Sequence, residues 1–363
     1  MATDAALARL REYMVGPTRF MNLVSCFELG LIDQLRERPG LTAVELGEAV
    51  DATPDSVEQL LNLLVHEDFV TYDEEDGGYS LGTLAGLEGD DLHRVLAFMD
   101  LVKVTVLRQS FYLTESVRAR TVVGLKEFYD YEGTLFGAVA EHKELRQSWA
   151  TAMDSETVRV DPWFFENIDV PAGANVLDLA GNTGLGAIHT YKSNERLGLR
   201  VATFDLPEKE KECLENFKKH GVEEHCSFIG GDVFESVPQG FDVVLIKHFL
   251  ALWDRDRVAA ILSGVSKALN VGGKVNLLIP LYPENNKDSV DPRCLDFYPA
   301  FFLGCAMGQG GGLKISAYRQ MLKEYGFEIT RVKTETSADM PADSFPIHAI
   351  VSATKVADTG EEV

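Results

Sequence analysis

The stretch Ile246-Lys-His-Phe-Leu-Ala-Leu-Trp-Asp254 sets one histidine, His248, where an apolar strand ends and a helix begins. An imidazole there can take a proton from a bound reactant near neutral pH, but the preferred reading of His248 is a packing residue facing away from the reacting group. Asp296, Tyr298 and Tyr131 are the other proton acceptors in segments expected to line a pocket. A second constellation lies upstream. "VLDLAGNTGLGA" ends a strand and opens a helix, and its small residues Gly181, Gly184 and Gly186 let the backbone approach a ligand. Ala180 and Asn182 stand where a stricter glycine motif has glycine, so the loop alone is a weak signal.

Three carboxylates strengthen it. Asp178 closes the strand before the loop, near where a cationic head group would sit. Asp205 closes the next strand, at the spacing of about 20 residues that lets a carboxylate accept both ribose hydroxyls. Asp232 closes the third, in "GGDVF", where it can take an adenine amino group while Phe234 packs on the ring. A strand-end aspartate is often only a helix cap. Three in register at successive strand ends argue for a ligand with an ammonium, a ribose and an adenine. S-adenosylmethionine has all three and no pyrophosphate, so it fits better than a nicotinamide dinucleotide.

The elements that position these residues follow from hydrophobic periodicity. From about residue 170, "ANVLDLA", "LRVATFDL", "CSFIGGDV", "FDVVLIKHF" and "KVNLLIPL" are short apolar strands separated by helical stretches. That alternation predicts a doubly wound, parallel α/β sheet. "FEITRVKTET" and "PIHAIVSATKV" follow with no helix between them and predict an antiparallel hairpin at one edge. Residues 1–95 read as a mostly helical winged-helix unit: a capping box at Thr42 and Glu45, a helix with Leu60, Leu61, Leu64 and Val65 in phase, then a hairpin turning at Asp76-Gly77-Gly78. Residues 96–165 read as a helical connector rich in aromatics, expected mainly in the core. Residues 166–357 form the α/β domain and 358–363 a flexible tail.

Composition narrows the function. A net charge of −23 over 363 residues opposes nucleic acid and anionic lipid, and the helix that would enter a groove carries Asp55, Glu58, Glu67 and Asp68 without lysine or arginine. "FMNLVSCFELGLIDQL" suits a dimer interface better. No apolar run reaches the length of a membrane span. Cys26, Cys213, Cys226, Cys294 and Cys305 are scattered and odd in number, which argues against a metal site or disulfide framework and for reduced thiols in a cytoplasm.

Taken together, the winged-helix segment with "LTAVELGEAV" and "GGYSL", the "VLDLAGNTG" loop, "FDLP", "GDVFESVPQGFDVVLIK" and "LWDRDR" resemble the S-adenosylmethionine-dependent small-molecule O-methyltransferases of plant natural-product and bacterial antibiotic pathways. The resemblance covers nearly the whole chain. It implies a homodimer joined by the N-terminal domain, and a C-terminal Rossmann-like class I methyltransferase domain. It also implies cofactor contacts at Gly181, Asp205, Asp232 and Lys247, with Phe234 and Met153 flanking the adenine and the methyl region. Asp178 matches the family's acidic residue at the end of its first strand.

The departures from the family pattern bear on mechanism. Where the family has Leu-His-Asp-Trp, with histidine as general base, this chain has Leu250-Ala251-Leu252-Trp253. The two glutamates that support that histidine align with Ile279 and Leu313. Taking a phenolic proton is worth roughly 10²–10⁴ in rate, so losing the whole set points to different chemistry. The expectation is methyl transfer to a small aromatic acceptor needing no strong base: an amine, an acidic hydroxyl or an activated ring carbon. Two further readings are an S-adenosylmethionine-binding relative that transfers no methyl (decarboxylase, hydroxylase or pericyclase) and a non-enzymatic winged-helix regulator. "FYPAFFLGCAMG" and the glycine-rich run at 308–312 predict an aromatic pocket with a mobile loop at its entrance.

Overall fold

The computed structural model describes residues 2–285, 293, 295–308, 311–336, 338–340, 342 and 347–358. Cys294, Gln309, Gly310 and tail residues 359–363 lie outside the described residues. The chain divides into two compact units, 1–99 and 100–363. Among the described residues no helix is long and apolar enough to cross a membrane.

In the first unit, helices α1 (Ala2–Glu28), α2 (Leu31–Glu37), α3 (Ala43–Val50) and α4 (Pro54–His66) accompany a small sheet of β1 (Leu41–Thr42), β2 (Val70–Tyr72) and β3 (Gly78–Leu81). The expected capping box forms: Glu45 N–H donates to Thr42 Oγ1 at 3.3 Å, and Thr42 N–H donates to Glu45 Oε2 at 2.9 Å. The hairpin pair β2–β3 gains β1 as a third strand on β3. Two residues are too short a stretch for alternation to reveal it. The apolar in-phase positions Leu61 and Leu64 are fully buried with Cys26, Leu31 and Ile32.

The second unit is built on a seven-stranded sheet of β4 (Asn175–Leu179), β5 (Arg200–Asp205), β6 (Cys226–Gly230), β7 (Val243–Lys247), β8 (Lys274–Pro280), β9 (Phe327–Thr334) and β10 (His348–Lys355), ordered β6-β5-β4-β7-β8-β10-β9. The first five strands pair in parallel and β10 pairs antiparallel with β9, as their sequence patterns predict; β10 also pairs antiparallel with β8. Strand order reverses between β4 and β7, which is where an open α/β sheet opens a crevice at its strand ends. Side chains alternate between two faces. Leu177, Leu179, Val244 and Ile246 pack with the helix Arg255–Ala268, whereas Val176, Val243 and Leu245 pack under Val160 and Phe164 of the helix Lys143–Glu166.

Residues 100–166 are helical, with a π-helical turn at Val102–Leu107 that faces a second one at Phe302–Ala306. Trp149 and Phe136 pack into this region's core, but Phe111 and Phe128 are 79% and 47% exposed. Helical phase decides this: aromatics on the outer side of a short helix stay in solvent whatever their hydrophobicity.

Candidate active site

The loop after β4 takes up the backbone that its glycines allow. Gly184 has φ 79°. Gly181 and Gly186 are needed for a different reason, since a Cβ there would lie 2.7 Å and 2.4 Å from Asp178 Oδ2. Ala180 and Asn182 also adopt left-handed φ, 60° and 48°. The two departures from glycine therefore keep the glycine-like path at a cost in strain, smaller for asparagine than for alanine. The Asn182 and Leu206 N–H groups both donate to Asp205 at 2.8 Å, which fixes that carboxylate at the end of β5.

Asp178 is buried, its Oδ2 has no hydrogen-bond partner among the described residues, and burial lifts its pKa to about 6 against the pull of Lys247 4.0 Å away. Asp232 accepts the Phe234 N–H at 2.8 Å. The Phe234 ring is 41% exposed, meets Trp253 edge-on at 4.9 Å and has the Arg257 guanidinium over it at 5.4 Å. Lys247 is engaged elsewhere: its ammonium donates to both oxygens of Asp161 at 3.1 Å. Burial would lower its pKa, but Asp161 and Asp178 more than offset that and keep it charged. Met153 is half-buried on the helix Lys143–Glu166, which also sends Asp154 to the Thr183 hydroxyl at 3.3 Å. An orphaned buried carboxylate, two glycines that clear it, a second fixed carboxylate and a part-exposed aromatic ring fit a ligand with a cationic group, a diol and a flat ring. Asp178, Gly181, Asp205, Asp232, Phe234 and Met153 are the residues that would hold it.

The acceptor side is apolar. Ala251 is buried among Tyr298, Phe301 and Phe302, while Ile279 is buried in the adjoining cluster against which Leu313 packs; Trp253 and Phe249 touch both clusters. A cleft of about 430 Å³ is lined by Trp253, Tyr282, Phe302 and Leu313, with the charged residues Asp254 and Arg255 also on its wall. Tyr298 is buried, stacks on Phe302 at 5.1 Å, and has its hydroxyl pKa pushed well up, first by burial and then by the Glu156 charge. Asp296 is exposed at a bend before it, and Tyr131 is partly exposed near Gly137.

His248 sits just past β7 with φ 56°, its N–H donating to Leu278 O at 3.1 Å. Its ring meets His348 edge-on at 4.9 Å. Burial, followed by the charges of His348, Lys247 and Arg159, holds its pKa well below the usual histidine range. His348 belongs to a buried cluster that sequence reading missed. Its Nδ1 is 2.8 Å from Glu335 Oε2 and its backbone N–H donates to the same oxygen at 2.7 Å. Arg159 donates to Glu335 Oε1 at 3.0 Å and to Glu156 from Nε and Nη2. One signal was present in the sequence. Leu145, Trp149, Ala152, Glu156, Val160 and Phe164 fall on one helical stripe, and Glu156 is its single charge.

Comparison with known proteins bears on this geometry. A family model for the O-methyltransferase domain matches residues 112–328, and one for the O-methyltransferase dimerisation domain matches residues 12–87. The chain is 22% identical over 346 residues to the L-tyrosine C(3)-methyltransferase of Streptomyces lavendulae, covering 94% of this chain and 91% of that one. It is 28% identical to the 3-amino-4-hydroxybenzoate 4-O-methyltransferase of Streptomyces cremeus, covering 92% and 88%. Its fold matches the solved structure of the mitomycin 7-O-methyltransferase MmcR with a TM-score of 0.81, at 23% identity and covering 98% and 99% of the two chains.

Proposed function

Because the chain belongs to the O-methyltransferase family, we propose that it methylates a small aromatic acceptor without a base at the family's position, and that the methylated atom is an activated ring carbon. The enzyme is an S-adenosylmethionine-dependent methyltransferase of the small-molecule, natural-product kind. The observation that carries the finer reading is the apolar packing of Ala251, Ile279 and Leu313, where the histidine and its two glutamates would stand. A phenol with a pKa near 10 stays protonated at neutral pH in such surroundings. A ring carbon made nucleophilic by a hydroxyl or amino substituent attacks first and sheds its proton afterwards. The relative named as a C(3)-methyltransferase of tyrosine supports carbon, and the aromatic lining of the cleft supports a flat acceptor.

In this reading Asp178 faces the ammonium of the cofactor, Asp205 its ribose and Asp232 its adenine amino group. Gly181 brings the backbone close, Phe234 covers the adenine, and Met153 borders the methyl. The Asp161 ion pair makes Lys247 a residue that holds the floor of this site. Catalysis is then mainly placement of carbon and methyl in line, with the pocket excluding water. Leu7, Leu10, Tyr13 and Met14 of α1 are 56–83% exposed, and a second copy of the chain would cover them, in keeping with the match to a dimerisation domain.

The test uses methyl-labelled [13C]S-adenosylmethionine with a panel of hydroxy- and amino-substituted aromatic acids. We expect S-adenosylhomocysteine in proportion to product and a carbon-bound methyl in the product spectrum. A methyl on a phenolic oxygen at a rate typical of the family would overturn the assignment. Turnover that needs the cofactor yet leaves it unconsumed would establish the non-methylating alternative.

A further inference from the structure

The ammonium of Lys247 has two carboxylates within reach and is bonded to one of them. Its Nζ donates to both Asp161 Oδ1 and Asp161 Oδ2 at 3.1 Å, and it stands 4.0 Å from Asp178 Oδ1, beyond hydrogen-bond length. All three side chains are buried, so their charges are weakly screened and the choice of partner matters. One cation and two carboxylates leave one negative charge in excess when both acids are ionised. The bonding leaves that charge on Asp178.

One helix decides which carboxylate holds the lysine. Asp161, Phe164 and Phe165 stand at i, i+3 and i+4 of the helix Lys143–Glu166, which brings their side chains onto one face. The Phe164 and Phe165 rings lie 5.9 Å and 5.5 Å from the same ammonium, within the range of cation–π attraction. Asp161 is itself anchored, its Oδ2 lying 3.1 Å from His189 Nδ1. A carboxylate only accepts, so the hydrogen of that contact is on the ring. The socket for the ammonium is thus built by one helix, whereas Asp178 belongs to β4.

On its other side Asp178 is kept open. Oδ2 has no hydrogen-bond partner among the described residues, and a Cβ on Gly181 or Gly186 would collide with it. A Cβ on Gly186 would also collide with Lys247 Nζ, so this one glycine clears both charged groups.

We propose that Asp161 is a positioning residue: by holding Lys247 in the socket with Phe164 and Phe165, it keeps Asp178 free for the ammonium of the cofactor's amino-acid group. The proposal rests on the assignment of Asp178 to that ammonium, made above. Lys247 then acts as a restrained competitor of the ligand for Asp178, in place of the direct contact that the family resemblance implies. An amide at 161 offers a single oxygen, and its NH2 cannot face an ammonium. Without the Asp161 charge, Lys247 on its flexible stem needs to move only about 1 Å from its 4.0 Å separation to bond Asp178.

Calorimetric titrations of the full-length protein at pH 8 test this, with S-adenosylhomocysteine and with 5′-methylthioadenosine. The first has the amino-acid group; the second has the nucleoside and the sulfur without it. Asp161→Asn should weaken S-adenosylhomocysteine by about tenfold or more, the scale of a lost charge-assisted contact, and 5′-methylthioadenosine by less than about twofold. Combining Asp161→Asn with Lys247→Met removes the competitor too, and a buried ion pair replaced by uncharged groups of similar volume is often tolerated. Asp178 then loses one neighbour that lowers its pKa and one that raises it. The double variant should therefore bind S-adenosylhomocysteine within about threefold of the parent.

Parent-like affinity for S-adenosylhomocysteine in Asp161→Asn would overturn the proposal. So would a double variant that binds 5′-methylthioadenosine normally and S-adenosylhomocysteine tenfold more weakly. If Asp161→Asn loses both ligands or fails to fold, the double variant decides alone: parent-like affinity supports the proposal and a tenfold loss overturns it. Asp178→Asn separates the two levels of the reading. If it leaves S-adenosylhomocysteine binding unchanged, the assignment of Asp178 fails and the proposal with it; if it weakens binding while Asp161→Asn does not, the proposal alone fails.

Discussion

Replacing Asp178 with asparagine separates what this carboxylate costs the fold from what it offers a ligand. The residue is 1% exposed, Oδ2 has no hydrogen-bond partner among the described residues, and the Lys247 ammonium, 4.0 Å away, is already paired with Asp161. Burial raises its pKa from 3.8 to about 6, with Lys247 opposing and Asp161 and Asp205 adding to the rise. The folded chain thus holds this proton more tightly than the unfolded chain. The resulting stability is complete below about pH 4, is lost as pH rises towards 6, and above that leaves a constant penalty. The gap between 3.8 and about 6 corresponds to about 3 kcal/mol at pH 8 and about 1.5 kcal/mol at pH 5. Asparagine resembles the protonated form and carries no charge to desolvate. Asp178→Asn should therefore stabilise the ligand-free protein in urea unfolding by about 3 kcal/mol at pH 8 and about half that at pH 5. Calorimetric binding of S-adenosylmethionine should move the other way, weakening about tenfold or more as a charge-assisted contact to the ammonium is lost. A variant less stable than its parent at pH 8, or one whose gain is the same at both pH values, would refute the burial argument. Unchanged affinity would refute the assignment of Asp178 to the ammonium.

Other substitutions test the remaining links. Ala180→Gly relieves a left-handed alanine and should raise stability in urea by about 1 kcal/mol, since the conformational penalty exceeds the entropy that glycine adds to the unfolded chain; no gain would mean the loop has relaxed around Ala180. Arg159→Met leaves Glu156 and Glu335 buried without their cation and should destabilise by about 3–5 kcal/mol above pH 6, less in acid, as followed by thermal unfolding against pH. Ala251→His alone should not create strong phenol O-methylation, because Ile279 and Leu313 cannot orient or charge-balance the imidazole. Only the triple change with Ile279→Glu and Leu313→Glu should recover a share of the roughly 10²–10⁴ that a base is worth, as measured by S-adenosylhomocysteine release with a simple phenol.

What was legible in the sequence was local. Period-two apolar runs, the glycine spacing after β4 and the aspartates at three successive strand ends all concern neighbours in the chain, and the sheet with its edge hairpin follows from them. Ala180 and Asn182 counted against the loop when read as missing glycines, yet the backbone is left-handed at both. Lys247 is a cofactor contact only as the resemblance implies, and nothing nearby in sequence announces that its ammonium pairs with Asp161 of a helix far upstream.

The buried cluster was illegible for the same reason, and it shows where such reading stops. Glu156 and Arg159 look like an ordinary i,i+3 surface pair, and His348 looks like one polar residue in a strand of the edge hairpin. Only the packing of the helix Lys143–Glu166 over β10 turns them into a desolvated group of charges, because the same residues in water would be worth about 0–1 kcal/mol as a pair. The left-handed backbone of His248 belongs with that packing: local preference argues against it, and the contact that accompanies it, with His348, is one no neighbour in the sequence reveals.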